Sequence, residues 1–296
     1  MIYKRPKNTI PMANTRAFKR KFLDVPYAGI SPAQKLDIYL PETGEGPFPV
    51  VMAVHGGAFM VGDKGDVQVL PMLAGLKRGY AVVSINYRMS WEALFPALVH
   101  DIKAAVRWVR GNAAQYGFDG NRIAAWGGSA GGYLSAMAGV TGGVAELEDL
   151  SLGYAEQSSR VQAVVDWFGP TDFLKMDEQT VIVNRGKSGP FSHNTANSPE
   201  SLLLGAQITT IPERVREANP ETYVREDAPP FFIQHGTRDT TVPPLQSVNF
   251  AAKLAQVAGP ERVRLELLEG AQHADAAFNK RQNVQKVLDF LDEVMG

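Results

Sequence analysis

The feature that most constrains the fold is a recurring alternation. Short runs rich in β-branched and aromatic residues are separated by stretches long enough for a helix. The runs are Lys35–Leu40, Val50–Val54, Tyr80–Asn86, Ile123–Trp126, Val161–Phe168, Phe231–Gln234 and Val263–Leu268. Several are almost continuously apolar, as strands buried on both faces must be. Strands alternating with helical patterns argue for an α/β fold with a mostly parallel central sheet flanked by helices. Between Ala97 and Tyr116, apolar residues at Leu98, Ile102, Ala105, Val109, Ala113 and Tyr116 recur at intervals of three and four, which predicts an amphipathic helix. Val284, Val287, Leu288 and Leu291 place a last helix over Gln282–Met295.

Two stretches break the alternation. Thr141–Ser159 is rich in Gly and Glu, and residues 172–227 form a long insertion before the strand at Phe231. A structureless loop of that length is unusual in a compact domain, so the insertion is expected to be a small cap or lid with some helix. Residues on both sides of it serve one sheet. The expectation is therefore a single domain over 1–296 with a cap at 172–227, preceded by an arm at 1–21.

That arm carries seven Lys or Arg residues and no acid. It is either a docking segment for a partner or anionic surface, or a solvated strap lying on the domain, and the strap is the expected reading. It has no apolar core of the kind a secretory signal needs, which favours the cytoplasm, although a processed secreted form would look the same. A net charge of −1 supplies no field to gather nucleic acid, and no apolar run reaches the length of a membrane span. The chain has no cysteine, so neither disulfides nor thiolate chemistry enters.

The strongest local motif is Gly127-Gly128-Ser129-Ala130-Gly131, placed between the strand Ile123–Trp126 and the helical run Tyr133–Ala138. A serine on so sharp a turn is held out at the carboxyl end of the sheet, in backbone geometry that costs on the order of 1–3 kcal/mol. Gly127 and Gly131 relieve the crowding that a Cβ would cause there. The helix that follows favours negative charge beside the hydroxyl.

A serine hydroxyl needs a base, and the chain has five histidines. His100 falls on the predicted helix as a partly exposed residue. His193 lies in the insertion, at the surface or facing substrate. His235 ends a strand and is expected to satisfy local backbone, and His55 to pin a loop. His273 follows the last strand, in the order Ser, acid, His that suits this type of site, and is the expected base. Asp239, on the loop leaving Phe231–Gln234, is the expected acid that orients it, whereas Asp275 is read as a loop acid or helix cap. A base of this kind must be neutral, so the rate should fall below roughly pH 6–7. For the oxyanion, His55-Gly56-Gly57-Ala58-Phe59 follows the strand Val50–Val54 and offers backbone amides, with that of Ala130 beside the nucleophile.

These residues, together with Asn86-Tyr87-Arg88, Gly169-Pro170-Thr171-Asp172, His235-Gly236-Thr237-Arg238-Asp239-Thr240-Thr241-Val242-Pro243 and Gly270-Ala271-Gln272-His273, resemble the α/β-hydrolase superfamily. Within it the chain is similar to carboxylesterases grouped with bacterial feruloyl and xylan acetyl esterases. Ala58 stands where the related hormone-sensitive lipase group usually has a third glycine, and Gly128 where that group has Asp. The resemblance implies a Ser129–His273–Asp239 triad, oxyanion amides from Gly57, Ala58 and Ala130, and no metal or organic cofactor. It also implies a small-molecule ester as substrate, acetyl to butyryl or an aryl or carbohydrate ester. An arylformamidase or other amidase on the same fold, or a non-catalytic receptor, remains the alternative. Residues 172–227, Trp167, Phe168 and Phe59 are the expected pocket lining. No pattern in the chain sets an oligomeric state.

Overall fold

A computed structural model describes residues 3–296; Met1 and Ile2 of the arm lie outside the described residues. One eight-stranded sheet runs in the order β1-β2-β4-β3-β5-β6-β7-β8. Its strands are β1 (Lys21–Pro26), β2 (Lys35–Tyr39), β3 (Phe48–Val54), β4 (Ala81–Ile85), β5 (Phe118–Gly128), β6 (Ala163–Trp167), β7 (Phe231–Gly236) and β8 (Val263–Leu268). From β4 through β8 the neighbours are parallel, while β1 on β2 and β2 on β4 are antiparallel.

Every residue of β4 and β6 is buried, which explains why their sequences are apolar but for Ser84 and Asp166. The side chains divide between two cores. One includes Val50, Met52, Val83, Ile123 and Ala125; the other includes Val51, Ala53, Val82, Ala124 and Trp126. That alternation follows from the period of two along a strand. The helices Ala97–Gly111 and Ala130–Val140 cover the first face and Arg281–Met295 the second.

Three features depart most from the sequence reading. β1 was not anticipated: it is an edge strand with exposed residues at Phe22, Leu23 and Asp24, so it lacks the apolar run that marks its neighbours. The helix predicted over Ala97–Tyr116 ends at Gly111, and a separate turn covers Ala113–Tyr116. β5 begins at Phe118, ahead of the expected Ile123, with an irregular register opposite Phe48 and Val50.

The insertion holds helices at Met176–Val183, Pro199–Leu204 and Pro212–Glu217. Its Leu203, Leu204, Ile208, Val215 and Ala218 are buried in the first core. The Tyr133 hydroxyl donates to the Ala218 carbonyl at 2.8 Å, and the Phe95 amide to the Leu203 carbonyl at 3.0 Å. Among the described residues no helix is long and apolar enough to cross a membrane.

Candidate active site

Ser129 stands between β5 and the helix Ala130–Val140 with φ 56° and ψ −123°. A non-glycine residue pays for that conformation, and here the surroundings enforce it. The Ser129 amide donates to the Trp167 carbonyl at 2.9 Å. A Cβ on Gly131 would lie 2.1 Å from the Val54 carbonyl oxygen, and one on Gly127 would lie 2.4 Å from Gly131. Strand, turn and helix can approach so closely only because both positions are glycine.

The structure brings the three sequence-predicted side chains together. His273 Nε2 is 3.0 Å from Ser129 Oγ, and His273 Nδ1 is 2.7 Å from Asp239 Oδ2. They arrive on three loops that are tied to one another. The Arg238 amide donates to the Ala271 carbonyl at 2.9 Å and the Thr237 amide to the Leu268 carbonyl at 3.1 Å, so the acid loop and the base loop keep a fixed register. Asp239 is fully buried; its Oδ1 accepts from the Thr241 and Val242 amides, each at 2.9 Å. Burial raises its carboxyl, but hydrogen bonds from His235 and His273 outweigh that and hold it at about 2.

His235 does more than satisfy local backbone. Its Nε2 donates to the Val242 carbonyl at 2.8 Å and lies 3.3 Å from Asp239 Oδ2, and Ser247 Oγ is 2.6 Å from its Nδ1. That second contact with the acid is local, made across four residues of the turn that leaves β7. His193, expected at the surface or facing substrate, is buried instead: Nε2 donates to the Thr241 carbonyl at 2.9 Å and Nδ1 lies 3.0 Å from Glu200. His100 is half-buried on its helix, where burial pushes its imidazole below the usual range. Asp275 caps the turn Ala276–Asn279, accepting from the Ala277 amide at 2.9 Å.

The loop after β3 carries the proposed oxyanion amides. Gly57, Ala58 and Phe59 have φ of 126°, 53° and 64°. Its backbone is held from several sides: the Gly56 amide donates to Gln68 Oε1 at 2.9 Å, and the Tyr87 hydroxyl to the His55 carbonyl at 2.9 Å. His55 Nδ1 donates to the Gly56 carbonyl at 2.8 Å, and its ring stacks on Tyr87 at 4.6 Å, so it does pin the loop. Burial pushes its imidazole below the ordinary value, which keeps it neutral. Among the described residues, the Gly57 and Ala58 amides have no backbone acceptor. Tyr87 belongs to the Asn86-Tyr87-Arg88 motif, whereas Gln68 carries no motif that would have marked it.

A cavity of about 580 Å³ opens over Ser129, lined by Gly57, Ala58, Gly128 and His273 together with Met60, Val67, Met72, Trp167, Phe168 and Phe278. Phe59 is not among the lining residues: it is 2% exposed and packs on Tyr133 in the core. From the insertion only Phe191 reaches the cavity, so the expected lining by residues 172–227 is largely replaced by other segments, including Ile10 of the arm.

A profile of the BD-FAE family matches residues 36–254. Over 287 residues the chain is 32% identical to the esterase LipQ of Mycobacterium tuberculosis, covering 95% of this chain and 64% of LipQ. A solved bifunctional GH43-CE protein of Bacteroides eggerthii superposes with a TM-score of 0.82 at 36% identity, over 93% of this chain and 35% of that one. A truncated carbohydrate esterase from gut microbiota gives 0.81 at 33% identity, over 97% and 99%. The chain thus spans less than two thirds of the length of the curated relatives it matches first.

Proposed function

We infer the chemistry of this chain from its family: it belongs to the BD-FAE family of the α/β-hydrolase superfamily, and its serine site suits hydrolysis of carboxylic esters. We propose that it is a carboxylesterase in which Ser129 is the nucleophile, His273 the general base and Asp239 the orienting acid. The observation that carries this reading is the unbroken Ser129–His273–Asp239 hydrogen-bond chain at the mouth of an apolar cavity.

In the first step His273 Nε2 takes the Ser129 proton as Oγ bonds to the ester carbonyl carbon, and the carbonyl electrons move to oxygen. The amides of Gly57, Ala58 and Ala130 receive that oxyanion. Collapse breaks the carbon–oxygen bond to the alcohol, which leaves with the proton from His273. Water then attacks the acyl-enzyme, losing its proton to His273, and the acid departs as Ser129 regains its own. Asp239, ionised throughout the neutral range, holds the imidazole in the tautomer that keeps Nε2 free to accept. The name of the carbohydrate-esterase neighbour supports an acylated sugar as the natural substrate, and the apolar cavity has room for the acyl groups expected, acetyl to butyryl, and for aryl groups.

Hydrolysis of 4-nitrophenyl acetate, butyrate and decanoate by the wild-type protein and Ser129→Ala tests the proposal. Wild-type turnover with a loss of about 10⁴-fold or more in Ser129→Ala is expected. Full activity in Ser129→Ala would sink the assignment, and cleavage of N-formyl aryl amides in preference to all esters would move the substrate class to formamides.

A further inference from the structure

The arm was expected to lie on the domain as a solvated strap. Its path is more specific than that. Tyr3 Oη is 2.6 Å from Ser90 Oγ, and Ser90 Oγ donates its own proton to the Phe59 carbonyl at 3.0 Å, so Tyr3 is the donor in the first contact. The Arg5 guanidinium lies 5.1 Å from the ring centre of Trp91, whose indole N–H donates to the Met60 carbonyl at 3.1 Å. Further along, the Val67 amide donates to the Pro11 carbonyl at 2.9 Å and the Ala13 amide to the Gly65 carbonyl at 2.8 Å, with Met12 bridged to Asp66. The second clamp closes directly on the loop that carries Gly57 and Ala58, and the first reaches it through Ser90 and Trp91, which donate to the Phe59 and Met60 carbonyls of that loop. Between them the chain turns where Asn8 Oδ1 accepts from the Ile10 amide at 3.1 Å, and Ile10 becomes part of the cavity lining with Met60, Val61 and Val67.

We propose that Tyr3–Ala13 is a fixed wall of the substrate cavity and that Ile10 is a specificity-determining residue, limiting the size of the apolar group that sits beside Ser129. The proposal rests on the ester-hydrolase reading for its substrate but not for its geometry. A side chain held between two clamps cannot withdraw freely when a larger group enters, so a bulkier residue there removes volume from the cavity and a smaller one adds it. An apolar group feels such a change as roughly 10–200-fold in kcat/KM per methylene gained or lost. Among the described residues of the arm, Ile10 and none of the Lys or Arg side chains lines the cavity.

The experiment compares wild type, Ile10→Ala and Ile10→Trp on two ester series, 4-nitrophenyl acetate to decanoate and ethyl to octyl acetate. The expected result is that Ile10→Trp lowers the long-to-short ratio of kcat/KM by at least about ten-fold in one series, and Ile10→Ala raises it. The series that responds says whether the group is on the acyl or the alcohol side. Unchanged ratios in both series overturn the proposal while leaving the Ser129 assignment standing. Octanoate binding to Ser129→Ala, with and without Ile10→Trp, is followed by titration calorimetry as a measure independent of turnover. Weaker binding in the double variant is expected, and equal affinity would overturn the wall even if no ester is cleaved.

Discussion

The arm at 3–20 and the insertion at 172–227 each send one apolar side chain, Ile10 and Phe191, into the same cavity, but they are attached to the molecule by opposite means. The insertion is bound through burial: Leu203, Leu204, Ile208, Val215 and Ala218 sit inside the first core. The arm, apart from Ala13 and Phe18 packed at the margin of the second core, is held by hydrogen bonds and two cation–π contacts, Arg5 over Trp91 and Arg20 over Phe48. Its clamps hold the loop after β3, one directly and one through Ser90 and Trp91, whereas one of the insertion's polar contacts, His193 to the Thr241 carbonyl, reaches the loop of Asp239. A segment can therefore matter little to the core and still shape the site. The converse holds for most of the insertion.

The sharpest way to break that contrast is to disturb the loop the arm grips. Gly57 has φ 126°, and a Cβ there would lie 2.0 Å from the Val61 carbonyl oxygen. Gly57→Ala must displace the proposed oxyanion amides, so kcat for 4-nitrophenyl butyrate should fall about 10²–10³-fold, the loss expected when one such donor is removed. Phe191→Ala, on the insertion, should change kcat/KM by only about the worth of one apolar contact, a few-fold. If Phe191→Ala costs as much as Gly57→Ala, the insertion governs the site and the contrast fails. Circular dichroism on each variant separates loss of fold from loss of chemistry.

How much of this could be read from sequence depends on what kind of signal each feature leaves. β3 through β7 were legible because a strand covered on both faces must be largely apolar, and β8, an edge strand, because Val263, Leu265 and Leu267 alternate with Arg264 and Glu266; the parallel α/β architecture followed. Ser129, Asp239 and His273 were legible because each falls just after a strand, and the structure brings them within hydrogen-bond reach. β1 left no such trace, because its outer residues face solvent. The roles of the arm and insertion were harder still. An arm fixed by backbone amides and a tyrosine hydroxyl has no apolar periodicity, so composition showed only its charge. Nor does any local pattern around His193 announce Glu200 or Thr241, which come near only through tertiary packing.

The insertion's buried pair gives a second test, smaller in effect. Burial lowers His193, but the contact with Glu200 outweighs it and leaves the imidazole above its usual range. A histidine raised in this way adds stability that is complete below its unfolded value of about 6.5 and lost as pH rises through the folded one. Glu200→Gln should thus lower stability by about 3 kcal/mol near pH 6, the order seen when one partner of a buried pair is removed. By pH 9 the difference from wild type should shrink. Thermal melts of both proteins across that range provide the measurement. A difference independent of pH would mean that the pair acts by packing alone, making the insertion's anchor purely apolar.

The smallest effect concerns the point where the insertion leaves the sheet. Asp166, at the end of β6, is fully buried; its Oδ1 accepts from the Gly169 amide at 3.0 Å and its Oδ2 has no partner. Burial raises its carboxyl to about 6, against the lowering effect of the Gly169 hydrogen bond. The sign is the reverse of Asp239: the native state binds this proton more tightly than the unfolded chain does. Stability from it is present below about pH 4 and is lost as pH rises through about 6. Asp166→Asn removes the titration, so the variant should match or fall below wild type at pH 4.5 and exceed it at pH 8 by about 1–2 kcal/mol, a shift of a few degrees in Tm. A variant less stable than wild type at pH 8 would show that the ionised carboxylate is wanted there. In that case the insertion, like the arm, is tied down by polar contacts at its root, and the contrast between the two narrows to their apolar ends.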